Sequence, residues 1–419
     1  RIVINKTTLS SGVRVLSESI SSVQSIAVGV WVNSGSRNDP ERQSGISHFV
    51  EHAVFKGTKK RRMHQIANHM ESVGGYLNAF TSKEHICYFA RALDSYLPRA
   101  VDSVCDLVAS PIFPQREIDK EKSVIIEEMK MYDDTPEEYI IDQFESMIYP
   151  SHPIGRPIIG YPKTVSELQR KDLLDYVSRQ HTPDQIVVAA SGNLQHDILV
   201  GSVDKAFHEL GSTYSNHSKN LKPPVIPHPR ELSFHRPVQQ GHLILGREAI
   251  SIHSKNRVIL ELINMILGGG SSSRLNQKIR ERYGFCYHIH SFLNLYSDCG
   301  DFGIYLGLNH KKINHALRLI FREFDRLTQN PVSSQALSRA KAQARGAIAL
   351  GLESMSNSMI RVGKQELYFG RVISVDETIE ELETVTSNDI QRFASQFLVP
   401  EKFSRLTLIP SSVQRSTLH

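Results

Sequence analysis

Apolar residues recur along this chain with two periods, and the segments that carry them occur twice. Ile26, Val28, Val30 and Val32 alternate with other residues, the period-two pattern of a half-buried strand. Phe302, Ile304, Leu306 and Leu308 do the same in the second half. A strand predicted over 86–92 is followed by Leu97, Val101, Val104 and Val108 at helical spacing, and that stripe stops at Ser110-Pro111. A strand predicted over 302–308 is followed by Ile313, Leu317, Ile320, Phe324 and Leu327, which stop at Asn330-Pro331. A further helical segment follows each proline. The order strand, helix, X-Pro, helix thus appears twice, offset by about 220 residues.

Between the two copies, 213–230 is polar, rich in proline and without period, which reads as a linker. The expected organisation is a first domain over 1–212 and a homologous second domain over 231–419. Runs of strands followed by runs of helices predict an α+β fold, each domain an antiparallel sheet with helices packed on one face.

A length of 419 residues suits two such domains. The 40% apolar content can fill their cores, and 22% charged residues argues against disorder. A net charge of +5, with Lys59-Lys60-Arg61-Arg62 the one basic block, gives little support to nucleic-acid binding. Cys87, Cys105, Cys286 and Cys299 have no C-x-x-C spacing and predict free thiols in a reducing compartment. No apolar run reaches the roughly 18 residues of a membrane span, and the first 25 residues hold no signal-peptide core. A soluble, intracellular protein is expected.

Chemistry concentrates at His48-Phe49-Val50-Glu51-His52. Ile46, Phe49, Val50, Ala53 and Val54 have helical spacing, so His48 and His52 fall one turn apart on one face. Two imidazoles so placed can bind one Zn²⁺, and Glu51 beside them can take a proton from water. An incidental exposed helix with two histidines is the plainer alternative. A third ligand is needed, and 115–132 supplies a helical candidate. There Ile118, Glu121, Ile125, Glu128 and Tyr132 are spaced 3, 4, 3 and 4, so two carboxylates interrupt an apolar stripe. Glu128 as ligand, with Glu121 supporting a ligand, is the natural assignment; Glu127 competes from another face.

Together these residues resemble the pitrilysin (insulinase) family of metallopeptidases, and within it the processing-peptidase β subunits and their bacterial relatives. The family has H-x-x-E-H and a glutamate some 76 residues on; His52 to Glu128 is 76, and Glu121 stands seven before it. HFVEHAVFKGTKKR, the stretch Gly74-Gly75-Tyr76-Leu77-Asn78-Ala79-Phe80-Thr81, and GGGSSSRLNQKIRERYGFCYHIHSF at 268–292 extend the likeness over nearly the whole chain. The resemblance implies two homologous α+β domains with Zn²⁺ on the first, held by His48, His52 and Glu128. Glu51 is then the general base, and Arg280 and Tyr287, seven apart, bind substrate carbonyls from the second domain. Asn78 and Ala79 would pair substrate backbone as an added strand, and Phe55 would line an apolar pocket after the cut. Glu138 and Asp142, 10 and 14 residues after Glu128, would grip an arginine two residues before it. The bland alternative for these two is an acidic helix start.

The implied function is a zinc-dependent endopeptidase acting on extended peptides or presequence-like segments, with a basic preference near the cut. The implied assembly is a homodimer in a bacterial cytoplasm, or a heterodimer with a homologous subunit in a mitochondrial matrix. Two rivals are a catalytically weak assembly subunit and a non-peptidase zinc hydrolase. Other tempting residues carry less. His288 and His290 alternate on a strand and could clamp a metal, but such pairs are more often simply exposed. Gly268–Ser273 lacks the G-K-[ST] of a phosphate cradle, and Tyr283 sits at a turn before Gly284.

Overall fold

The computed structural model describes residues 3–208, 222–284 and 286–411. Of the expected linker, 213–221 lies outside the described residues, and 222–230 is without regular structure.

The first sheet holds β1 (Val3–Thr8), β2 (Arg14–Ser19), β3 (Ser25–Val32), β4 (Tyr76–Thr81), β5 (Ile86–Leu93) and β6 (Ile186–Gly192), in the order β1-β2-β6-β3-β5-β4. The second holds β7 (Glu231–Arg236), β8 (Gly241–Ala249), β9 (Cys286–Leu295), β10 (Gly300–Leu308) and β11 (Ser404–Pro410), in the order β7-β11-β8-β10-β9. From β2 and from β7 onward the two orders match pair by pair, one parallel pairing followed by three antiparallel ones. This is the two-domain fold expected from the repeat, with one correction: the sheets are mixed. β6 enters between β2 and β3, which run in opposite senses, so it must lie parallel to one of them. β11 does the same between β7 and β8.

A second correction concerns the faces. β3 is buried on both sides, not half-buried: Ile26, Val28, Val30 and Val32 face one core, and Ala27 and Trp31 face another. The first core holds helix Leu97–Ala109, whose Val101, Val104 and Val108 pack on the sheet. The other face is covered by helix Met355–Phe369, through Met355, Met359 and Val362. Ion pairs fasten that helix. Buried Glu366 receives Lys6 at 2.8 Å and Arg14 at 3.0 Å, and Arg361 reaches buried Glu18 at 2.6 Å.

The second sheet is covered in the same way. Helix Ile313–Gln329 packs Leu317, Ile320 and Phe324 on one face. Helix Pro136–Ile148 packs Ile140, Phe144, Met147 and Ile148 on the other, against Ile244, Tyr305, Leu406 and Leu408. The compact units therefore differ from a contiguous division. One comprises 1–130, 156–222 and 349–373, and the other 131–155, 223–348 and 374–419. Each half of the chain lends the opposite unit the helix that seals its second sheet face.

Gly363 shows how close that sealing is. A Cβ there would lie 2.2 Å from Trp31 Nε1, so the helix can approach the indole only at a glycine. Gly363→Ala should therefore cost about 1–3 kcal/mol by overpacking. Gly346→Ala, in helix Ser334–Gly351 with nothing within 4 Å, should gain about 0.5–1 kcal/mol. Urea midpoints of the two variants check this; a Gly363→Ala protein as stable as its parent would refute the close contact.

Candidate metal centre

The motif pentapeptide lies on the short helix Ile46–Ala53, which buries Ile46, Phe49, Val50 and Ala53 in the first core and leaves His48, Glu51 and His52 on its open side. Its start is fixed by Gly45, at φ +95°, where a Cβ would meet the Ile159 carbonyl oxygen at 2.6 Å. Asp39 caps it from within the protein. Its carboxyl accepts the Gly45 N–H at 3.0 Å and the Ser47 hydroxyl, and Ser47 also meets the Tyr176 hydroxyl at 3.0 Å.

Helix Gln115–Asp134 brings the carboxylates. Glu121 is buried and takes two donors, His52 Nδ1 at 2.9 Å and Lys56 Nζ at 2.8 Å. An ionised carboxylate can only accept, so in the neutral ring the His52 proton sits on Nδ1 and the Nε2 lone pair is left for a metal. Two turns along, Glu128 faces both rings, with one oxygen 3.9 Å from His48 Nε2 and the other 3.7 Å from His52 Nε2. One donor atom from each of His48, His52 and Glu128 lies within 4.8 Å of the other two. Ligands at about 2.0–2.1 Å around a tetrahedral Zn²⁺ stand about 3.3 Å apart. The two carboxylate–imidazole separations are about 0.4–0.6 Å wider than that, and two nitrogens with one carboxylate suit such an ion. Glu127 turns away, exposed, and pairs with Lys130 at 2.6 Å.

Glu51 adjoins the three donors. Thr81, the last residue of β4, donates its hydroxyl to the Glu51 carboxylate at 2.6 Å. Burial raises the Glu51 pKa; the Thr81 bond and His52 oppose the rise, and Glu128 adds to it. Burial, with His52 alongside, pulls His48 down to about 3, so its ring is neutral and able to ligate. Burial would lower His52 too, but the Glu121 bond and the charges of Glu51, Glu128 and Glu121 outweigh it and raise its pKa. Lys56, Thr81 and Asp39 are the residues that the sequence reading passed over. Only Lys56 left a trace, four residues after His52 on the same helical face.

The other expected residues fall in two places. Phe55 is half-buried in the turn Val54–Lys56 against the first core. Asn78 and Ala79 are on β4, which pairs only with β5 and so ends the sheet among the described residues. The Asn78 side-chain oxygen accepts the Ala79 N–H at 2.9 Å, capping a backbone donor on that edge. Glu138, Asp142, Arg280 and Tyr287 belong to the second unit. Glu138 opens helix Pro136–Ile148 and Asp142 lies one turn on. Arg280 sits in the short π-helix Asn276–Glu281. Tyr287 is the extra residue of a β-bulge, since Leu308 pairs with Cys286 while Gly307 pairs with His288, and it is 76% exposed.

With this geometry in place, comparison with known proteins is decisive. Residues 14–161 match the family described as Insulinase (Peptidase family M16), and 167–344 match the Peptidase M16 inactive domain. A protein named an uncharacterized zinc protease from Mycobacterium tuberculosis is 36% identical over 416 residues, 98% of this chain and 94% of that one. The chain belongs to peptidase family M16. A similarly named M16 relative from Streptomyces coelicolor is 34% identical over 94% of this chain and 87% of its own. Another from Bacillus subtilis is 34% identical over 97% and 98%. Among solved structures, a protease from Helicobacter pylori superposes with a TM-score of 0.91 at 22% identity, covering 98% of this chain and all of that one. A peptidase M16 inactive domain from Pseudomonas fluorescens gives 0.90 at 18% identity, covering 98% of each. At those identities the two structures speak for the fold.

The cap beneath the motif helix yields a pH test. Burial pushes Asp39 up to about 7, against the bonds from Ser47 and Gly45 and the charge of Arg156. In the unfolded chain an aspartate titrates near about 3.9. Between those values the folded protein keeps a proton that the unfolded chain has lost, so stability falls as pH rises. The contribution is complete below the unfolded value and lost through the folded one. Asp39→Asn keeps an acceptor for Gly45 and cannot ionise. Its Tm relative to the parent, both in chelator, should rise from about pH 5 to about pH 8. A difference that does not change with pH would show that Asp39 is not the titrating group.

Proposed function

We propose that this chain is a zinc-dependent endopeptidase that hydrolyses extended peptide segments. The observation that carries the reading is the convergence of His48, His52 and Glu128 beside a half-buried carboxylate, Glu51, that ligates nothing in the set. The names of the relatives, zinc proteases, support the choice of ion. Bound there, Zn²⁺ supplies Lewis-acid polarisation of a carbonyl and makes water acidic near neutral pH.

The protein's own residues do the rest. Glu51, with its pKa raised by burial and its orientation held by Thr81, accepts the proton of the attacking water and returns it to the leaving amine. Glu121 holds His52 in the ligating tautomer. The free edge of β4 receives substrate as an added strand, and the Ala79 N–H leaves the Asn78 side-chain oxygen to donate to a substrate carbonyl. Phe55 contacts an apolar side chain after the cut. Tyr287 and Arg280 hold substrate carbonyls, Tyr287 steadying the developing oxyanion. The working assembly is two chains, a second copy of this one or a homologous subunit. We place it in the bacterial cytoplasm, in keeping with bacterial relatives and with no described helix long and apolar enough to cross a membrane.

Glu51→Gln should retain zinc by elemental analysis and lose at least about 100-fold in kcat, the lower end of what a positioned base contributes. His48→Ala should lose both metal and activity. Glu128→Gln should shed metal far more readily than Glu127→Gln. Near-normal turnover by metal-replete Glu51→Gln would overturn the reading.

Specificity rests on Glu138 and Asp142, four apart and so on one helical face. Two carboxylates can make paired, charge-assisted bonds to one guanidinium, which lysine reproduces poorly. Peptides with Arg two residues before the cut should have kcat/KM at least about tenfold above Ala analogues, a preference lost in Glu138→Gln/Asp142→Asn. Equal cleavage of Ala, Lys and Arg peptides would reduce the pair to a helix start.

A further inference from the structure

The second unit carries a cluster of metal donors of its own. We propose that Glu137, His288 and His290 form a second divalent-metal site, one that takes an imidazole-preferring transition ion such as Zn²⁺. Among the described residues, only two groups of histidine, cysteine or carboxylate side chains bring three donor atoms within 4.8 Å of one another: the centre described above and this one.

The geometry follows from the sheet. His288 and His290 are two apart on β9, so they share a face, with Phe292 next in line. Their ring centroids are 4.9 Å apart, closer than the roughly 6.7 Å that two residues of strand would give, so the rings lean together. Phe292 packs edge-on against Phe144 of helix Pro136–Ile148 at 5.8 Å, which seats that helix on the same face. Its first turn thereby places Glu137 over the two rings, with a carboxylate oxygen 3.7 Å from His290 Nε2.

That separation exceeds the 2.7–3.2 Å or so of a direct hydrogen bond, so the contact is not a closed pair. It equals the spacing between His52 and Glu128 in the first centre, also 3.7 Å. The surroundings leave the donors unspent. His290 Nδ1 is buried without a hydrogen-bond partner. The Tyr305 ring, 5.2 Å from His290 and 6.1 Å from His288, walls one side, and its hydroxyl is engaged with His242 Nδ1 at 2.9 Å. Opposite His288 the partner residue on β10 is Gly307, which adds no side chain to fill the space.

Two imidazoles and one carboxylate suit Zn²⁺, Co²⁺, Ni²⁺ or Cu²⁺ and not Mg²⁺ or Ca²⁺, which want oxygen ligands. His288 is exposed, so water completes the shell. Among the described residues no carboxylate fixes either ring as Glu121 fixes His52, and loss of such support weakens ligation about 10–100-fold. The second site should be the weaker by about that factor. An ion there would tie the first turn of helix Pro136–Ile148 to β9, next in sequence to Glu138 on one side and to Tyr287 on the other.

Calorimetric titration of metal-free protein with Zn²⁺ tests this without reference to peptidase activity. The parent should bind two equivalents, and His48→Ala/His52→Ala one, which Mg²⁺ does not replace. Adding His288→Ala to that background should abolish the remaining equivalent, whereas adding His235→Ala, an exposed histidine on β7, should leave it. In the His48→Ala/His52→Ala background, zinc should also raise Tm by mass action, and His288→Ala should remove the rise. The Tm in chelator reports whether each variant folds. Should His288→Ala itself lower that Tm, Glu137→Gln, which leaves strand and rings intact, should still weaken binding at least about tenfold. Failure of the double variant to bind zinc, or retention of its equivalent in both the His288→Ala and Glu137→Gln proteins, would overturn the proposal.

Discussion

The buried carboxylate of Glu121 governs the geometry of the first unit. A lone carboxylate in that position would cost several kcal/mol of lost hydration. Here it accepts from His52 and from Lys56 at once. His52 lies in the last turn of the motif helix and Lys56 in the turn that follows it, so the pair of bonds fixes how helix Gln115–Asp134 lies along them. Seven residues of helix rise about 10.5 Å, and that distance carries Glu128 to the level of the two Nε2 atoms. Moving Glu121 by one position would rotate Glu128 by about 100° and dissolve the donor set. The same bond sets the His52 tautomer, so one interaction serves both register and ligation.

A second constraint is that each sheet has two apolar faces. In both units the helices following the edge hairpin cover only one. Met359 and Val362 over Trp31 close the first sheet, and Phe144 over Gly246 closes the second. Each of those helices comes just after the long helix that follows an X-Pro step, at corresponding places in the two repeats. The exchange is therefore a property of the repeat itself. Neither half of the chain holds all the apolar surface that its own sheet needs, which makes 1–212 and 231–419 poor candidates for folding apart.

What could be read from the sequence was what local geometry decides. The helix of the pentapeptide, the helix bearing Glu121 and Glu128, and both strand-helix-proline units follow from spacing. Spacing favoured Glu128 over Glu127 only moderately, because the choice depends on which face meets a helix some 70 residues earlier. It also matched strand 26–32 with 302–308, whereas the counterpart of β3 in the sheet order is β8, whose Gly246-Arg247-Glu248 breaks the alternation. The parallel insertion of β6 and β11, the Thr81 bond to Glu51 and the Asp39 cap are contacts between distant segments that leave no periodic trace. His288 and His290 read as an exposed pair for the same reason. Glu137, about 150 residues away, reaches them only because an exchanged helix lands on their face.

The repeat also explains why the first donor set has no twin. The counterpart of the motif helix, between the β3-like and β4-like strands of the second unit, is Arg257–Gly268. Val258, Leu260, Leu262, Ile263, Ile266 and Leu267 are buried along it, and it holds no histidine. The counterpart of the carboxylate helix is Ser334–Gly351, whose sequence SQALSRAKAQARGAIALG contains neither Asp nor Glu. Both halves of the donor set are missing together, as they must be: two imidazoles without the carboxylate bind weakly, and a buried carboxylate without partners destabilises the fold. Freed from that demand, the second unit packs its counterpart helix as core. Its histidines stand instead on the opposite face of the sheet, where the helix that covers them comes from the first half of the chain.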